Sequence, residues 1–254
     1  MSCHTPFFTG LTMIINAAEH AWVIGDPRFP IDLELASCPS RPPKSDYTAE
    51  HLISEMKLYG IDLLVGHRLF APDDSENPDR LSSAMQEQGL AGLRLSPIYD
   101  KASRWFDDPM MYPFWERAQE LGAVFNIFLG PDQVEQVASM AERFPGVKVV
   151  IDHIAMIDIT APDEAGFGQL LEMNRLSNVY VRTSLHNPSR EATPYRDVWP
   201  FLKRIYHAFG PERMLYANFF EYLIMKEMIP FFTETDKVWI LGRTAEGIYW
   251  GGRE

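Results

Sequence analysis

The stretch FPGVKVVIDHIAMID, Phe144–Asp158, decides the fold. Its middle, Val147–Ile151, is rich in β-branched residues and short enough to be a buried strand. Before it, Gln133–Phe144 reads as an amphipathic helix, and after it Phe167–Leu176 reads as another. Short apolar runs alternating with amphipathic ones mark repeated β-α units and a parallel sheet. The strand runs directly into Asp152 and His153. In parallel barrels the chemistry collects at that end of the strands.

The same alternation continues in both directions. Toward the N-terminus, Ala123–Leu129, Leu90–Leu95, Ile61–Val65 and Met13–Ala17 (MIINA) read as strands. The helices between them are Pro113–Leu121, Pro78–Gln88 and one capped by Thr48 that carries Leu52, Ile53, Met56 and Tyr59 on one face. The proline-rich segment Val23–Asp46 is a long loop. Toward the C-terminus, Asn178–Thr183 and Arg213–Ala217 are strands, Val198–Phe209 is a helix stopped by Gly210-Pro211, and the remainder through Thr235–Tyr249 is helical. This is an α/β protein of the TIM-type (β/α) barrel kind. Only seven strands are readable, and a closed eight-stranded barrel needs one more. The gap lies between Ile61 and Leu90: either the barrel has seven strands, or an irregular segment such as His67–Ala71 extends the sheet. No repeat, linker or low-complexity tract divides the chain, so residues 1–254 are expected to form one domain.

Composition narrows the partners. The formal net charge of −12 argues against nucleic acid or an anionic membrane surface. Cys3 and Cys38 sit in no CxxC or Cys/His cluster, so neither a zinc finger nor a disulfide framework is implied, and a reducing cytoplasm is the expected setting. The apolar stretch Phe7–Ala18 lacks a basic n-region and runs into Glu19-His20; it reads as a buried first strand rather than a signal peptide. No apolar run reaches the ~18 residues of a membrane-spanning helix.

The polar residues at strand ends are the candidates for chemistry: Glu19 and His20, Arg94 and Ser96, Asn126, Asp152 and His153, Arg182 and Ser184, and Asn218. Arg94 and Arg182 can bind a substrate carboxylate in bidentate fashion, or pair with Asp152 or Glu19 as structural ions. Ser184 and Tyr99 join them as expected substrate contacts. His153 is either an acid-base group or a core histidine beside Asp152. His20 is either functional or residual, and Glu19, the carboxylate beside it, either replaces a base or is a solvated loop residue. His67 and His186 read as surface loop residues. Trp105-Phe106 suits a cover over the barrel mouth, which would also favour an aromatic ligand.

Several of these segments, taken in order, resemble the amidohydrolase-related superfamily. IINAAEHAW (Ile14–Trp22) is similar to its I-D-x-H-x-H-x-W opening, and GLRLSPIYD (Gly92–Asp100) to its G-x-R-L-x-P segment. FPGVKVVIDHIAMID matches the strand ending in Asp-His. NVYVRTS (Asn178–Ser184) and AFGPERMLYANF (Ala208–Phe219) resemble the last two strands, and WILGRTAEGIYW (Trp239–Trp250) the closing helix. The branch it most resembles holds dicarboxylate lactonases, with aromatic-acid decarboxylases more distant. The resemblance implies a divalent metal, usually zinc, held by the H-x-H histidines and a late aspartate that also serves as general base, with further histidines after middle strands. It also implies that lactonase relatives can work without metal. Barrels of this family often pair, which makes a homodimer the assembly to test.

The chain departs from that pattern at three places. Asn16 stands at the opening aspartate, Ala18 at the first histidine and Asn218 at the late aspartate. Asn126 or Phe128 lies where metal-dependent relatives often carry a histidine. Alanine offers no ligand atom, and asparagine is neither a base near neutral pH nor a good zinc ligand. His20 and His153 remain; two imidazoles hold a transition metal only weakly, and catalytic zinc normally takes three protein ligands. The expectation is a cofactor-free site, with zinc at His20 and His153 as the weaker alternative. Three functions follow. One is a hydrolase of a lactone or similar carbonyl or carboxylate compound, with His20, His153, Glu19 and Asn218 in the catalytic positions and Arg94, Arg182, Ser184 and Tyr99 binding an anionic or aromatic small molecule. The second is a metal-free decarboxylase, lyase or cyclase on the same pocket. The third is a non-catalytic binding relative.

Overall fold

The computed structural model describes residues 13–16, 45–59, 61, 63–64, 76–87, 89–99, 104–161 and 166–251. Expectations that fall on Ala18, Glu19, His20, residues 23–44 of the long loop, the segment 67–71, Cys3 and Cys38 lie outside the described residues, as do the side chains of Asn16 and Tyr99.

All seven expected strands are present and all pair in parallel. They are β1 (Ile15–Asn16), β2 (Leu63–Leu64), β3 (Gly92–Leu95), β4 (Val124–Ile127), β5 (Lys148–Ile151), β6 (Val179–Arg182) and β7 (Met214–Leu215). The ladder runs β1-β2 and, separately, β3-β4-β5-β6-β7. Between the two pieces lie residues 65–75, which include the segment 67–71 and are outside the described residues. The helices are α1 (Ala49–Tyr59), α2 (Asn77–Gln86), α3 (Tyr112–Glu120), α4 (Val134–Arg143), α5 (Phe167–Glu172) and α6 (Trp199–Phe209). Pro78, Pro113 and Pro200 sit in the first turns of α2, α3 and α6, where a missing N–H costs nothing.

Strand parity sorts the core into two layers. Leu93, Leu95, Phe125, Ile127, Val149, Ile151, Val179, Val181 and Met214 pack outward against the helices, around the fully buried Trp115. Their alternates Val124, Val150 and Leu215 meet Ile15 on the inner side, together with Ala245, Ile248 and Tyr249. Side chains of period two on a parallel sheet leave no other arrangement.

The C-terminal segment supplies that inner filling. The expected helical remainder is broken into α7 (Phe219–Leu223), a π-helical turn (Ile224–Met228), α8 (Glu234–Val238), a second π-helical turn (Trp239–Arg243) and α9 (Thr244–Tyr249). Pro230 separates the halves, and Thr233 caps α8 by accepting from Asp236 N–H. The second π turn touches both β7 and β1. The Tyr216 N–H donates to Ile240 O at 3.3 Å. At Gly242 a Cβ would lie 1.8 Å from Met13 O, so glycine alone allows this approach. From α9, Ile248 O accepts from Lys148 Nζ at 3.1 Å, and Tyr249 reaches the inner ends of β4 and β6. Among the described residues no helix is long and apolar enough to cross a membrane.

Candidate active site

Arg94, Asn126 and Arg182 occupy inward positions of β3, β4 and β6, and Asp152 follows directly on β5. Parallel register brings the four together: Arg94 is level with Asn126, and Asn126 with Val150, two residues before Asp152. Arg182 Nη1 donates to Asp152 Oδ1 at 2.5 Å, and Arg182 Nη2 donates to Asn126 Oδ1 at 2.5 Å and to Tyr249 Oη at 2.9 Å. The Tyr249 hydroxyl donates to Asn126 Oδ1 at 2.5 Å. Arg94 Nε lies 3.2 Å from Asp152 Oδ2, an ion pair that is too bent to count as a hydrogen bond. The Arg94 guanidinium also covers the Phe128 ring at 4.7 Å.

The network is buried: Asp152 and Arg182 are 0% exposed, Asn126 2% and Arg94 7%. An isolated charge would be costly there, and breaking one partner of such a buried pair typically costs about 3–5 kcal/mol. Arg182 is therefore tied to Asp152, Asn126 and Tyr249 through its guanidinium. Arg94, with its guanidinium over Phe128, is the more exposed of the two arginines. Burial pushes the Tyr249 hydroxyl up to about 12, so it stays protonated and remains a donor.

His153 begins a left-handed turn. Four consecutive non-glycine residues, His153, Ile154, Ala155 and Met156, have φ of 50, 52, 52 and 51°. Such a conformation costs roughly 1–2 kcal/mol per L-residue. It is held by Ile154 and Ala155, both fully buried. The turn packs the His153 ring edge-on against Phe128, with centroids 5.5 Å apart. The imidazole is lowered to about 4, first by burial; Asp152 raises it, and Arg94, Arg182 and His186 lower it further. It is neutral at physiological pH, and its buried Nδ1 has no hydrogen-bond partner among the described residues.

A second cluster lies at the ends of β6 and β7. Asn218 sits at φ 72° and ψ 130°, a sparsely populated conformation that strains a side-chain-bearing residue. Its Nδ2 donates to Ser184 Oγ at 3.2 Å, and Ser184 Oγ lies 3.3 Å from His186 Nδ1. The structure thus joins Arg94, Arg182 and His153 around Asp152, and joins Ser184 and Asn218 beside them. It adds Tyr249, Glu221 and a partnered His186, which sequence reasoning left out or placed on the surface. Tyr249 carries no local signal, since it arrives from a distant helix. Glu221, an acid in the first turn after the last strand, had a weak one.

Among the described residues, the donors around His153 do not suit a zinc ion. Asp152, the carboxylate next to His153, already faces two guanidinium groups, whose charges oppose a nearby divalent cation. Among the described residues no three His, Cys, Asp or Glu side chains come together as a metal cluster.

Comparison with known proteins bears on this geometry. A sequence profile described as amidohydrolase matches residues 48–217. An L-fucono-1,5-lactonase from Burkholderia ambifaria is 25% identical over 150 residues, 57% of this chain and 50% of that protein. The chain thus spans about half the length of this curated relative. A Pseudomonas putida structure, provisionally named a 2-pyrone-4,6-dicarboxylic acid hydrolase, superposes with a TM-score of 0.76 at 16% identity, covering 96% of this chain and 100% of that one. The 5-carboxyvanillate decarboxylase of Sphingomonas paucimobilis superposes with a TM-score of 0.63 at 17% identity, covering 94% and 99%. At such identities the structural likenesses establish the fold alone.

Proposed function

Because the chain belongs to the amidohydrolase family, whose profile spans residues 48–217, we propose that it hydrolyses a lactone or similar carbonyl compound bearing a carboxylate, without a full metal site. The observation that carries this reading is the convergence of Arg94 and His153 on Asp152 at the C-terminal ends of the strands, where barrel enzymes bind substrate. Arg94 binds the substrate carboxylate or the oxyanion that develops at the carbonyl. Arg182 fixes Asp152, which in turn fixes Arg94. His153, kept neutral by burial, offers an imidazole to the substrate, and Ser184 a hydroxyl. His20, Glu19, Tyr99 and Asn218 complete the assignment from their places in the sequence. The lactonase relative and the dicarboxylic acid hydrolase fold support the substrate class.

A decarboxylase is the second reading, favoured by the 5-carboxyvanillate decarboxylase fold and by the aromatic lining from Phe128. The test is turnover of L-fucono-1,5-lactone, 2-pyrone-4,6-dicarboxylate and 5-carboxyvanillate by the wild type and Arg94→Met. Hydrolysis of one of the first two, reduced on the order of 100-fold in kcat/KM by Arg94→Met, is expected for a charge-assisted contact in a buried site. Carbon dioxide release from the third alone would favour the decarboxylase, and no turnover of any would favour a binding protein.

A further inference from the structure

Glu221 is 0% exposed, and its carboxylate is fixed from three sides. Oε2 accepts the Leu185 N–H at 2.9 Å, and Oε1 accepts the His186 N–H at 3.0 Å. Oε1 also faces His186 Nδ1 at 2.6 Å. The His186 side chain is 33% exposed, and its Nε2 has no hydrogen-bond partner among the described residues. Phe220 packs edge-on against the ring with centroids 4.9 Å apart, which limits its rotation. A carboxylate on one ring nitrogen sets the tautomer: Nδ1 carries the proton and Nε2 carries the lone pair.

This histidine lies two hydrogen bonds from Asn218, through Ser184 Oγ. Asn218 stands where the family resemblance places the general base. We propose that His186, oriented by Glu221, is the proton-transfer group of this site, taking the place of the carboxylate that Asn218 lacks. The proposal rests on the hydrolytic reading above. Ser184 is not its nucleophile, because the hydroxyl approaches Nδ1, the nitrogen already bound to Glu221, and not Nε2. Water is the group to be activated. Nε2 takes a proton from water as the water oxygen bonds to the lactone carbonyl carbon. The ring C–O bond then breaks, and the same proton passes from Nε2 to the departing ring oxygen. Lactone and water become one hydroxy acid, and the imidazole ends as it began. His186 is the catalytic residue in this scheme and Glu221 a positioning residue.

A purely structural Glu221, holding the loop through its two backbone N–H groups, would show the same bonds. Two measurements separate the roles. Long-range ¹H–¹⁵N spectra of the full chain labelled at histidine, with the His186 signals identified by their loss in His186→Gln, are expected to show Nδ1–H and an unprotonated Nε2 in the neutral ring. Glu221→Gln is expected to move His186 toward the Nε2–H form. A wild-type His186 that carries its proton on Nε2 overturns the proposal, whatever becomes of the variants. The second measurement uses whichever of L-fucono-1,5-lactone and 2-pyrone-4,6-dicarboxylate is turned over. His186→Gln is expected to lower kcat about 100-fold, the scale of a positioned acid-base group. KM should stay within about threefold, because the lost interaction forms in the transition state. Unchanged kcat overturns the proposal. If the wild type turns over neither compound, the hydrolytic reading fails, and the tautomer alone decides whether His186 is built to accept a proton.

Discussion

Burial holds His153 near 4, below its ordinary 6.5, and this has a consequence for stability. The unfolded chain takes up a proton as pH falls through about 6.5, while the folded chain resists until about 4. The stabilising contribution is therefore complete above 6.5 and is lost as pH falls toward 4. The ring keeps some exposure, so the loss between pH 7 and pH 5 is expected to be about 1–2 kcal/mol. Urea unfolding at the two pH values, wild type against His153→Asn, checks this: the wild type should lose more stability than the variant, and equal losses would refute it. At this scale the sequence was readable where a polar residue sits at its own strand end. Arg94, Asp152, His153 and Arg182 were all named from position. Their pairing was not, because Arg94 and Arg182 could equally have faced a ligand, and only register shows them both turned onto Asp152.

Among elements, the C-terminal segment departs furthest from its expected form. Its sequence reads as one helical stretch, yet Pro230 breaks it and two π-helical turns re-aim what remains. The second of these turns is set by a tertiary contact, the close approach of Gly242 to Met13 O, which no local pattern announces. Gly242→Ala should therefore push α9 away from β1 and loosen the inner layer. Overpacking of this kind costs about 1–3 kcal/mol. For a chain of this size that corresponds to a fall in Tm of roughly 2–10 °C. Calorimetry of the variant measures it, and an unchanged Tm would refute it. The strands, by contrast, were legible because parallel strands covered on both faces are short, apolar and β-branched. From β3 to β7 the expected ends lie zero to two residues beyond the observed ones.

For the whole molecule, the fold is that of the amidohydrolase family, with seven described parallel strands in a two-stranded and a five-stranded piece and a site whose described donors are largely committed to one another. The purified protein is expected to hold well under one zinc per chain by elemental analysis, and to keep its activity in EDTA. Stoichiometric zinc, lost together with activity on chelation, would overturn the metal-free reading. Ala18→His combined with Asn218→Asp should raise zinc affinity, which isothermal titration would detect. Strand parity also constrains the family's history in this chain. Each strand carries helix-facing residues on one parity and inward-facing residues on the other, so deleting one residue would send Phe125 and Val149 inside and turn Asn126 and Arg182 into the apolar layer. Change inside a strand can therefore enter only as replacement of one side chain by another, while change of length is confined to the connections. Single-residue exchanges such as those expected at Asn16 and Asn218 leave this parity intact, whereas a one-residue insertion or deletion inside a strand would invert it.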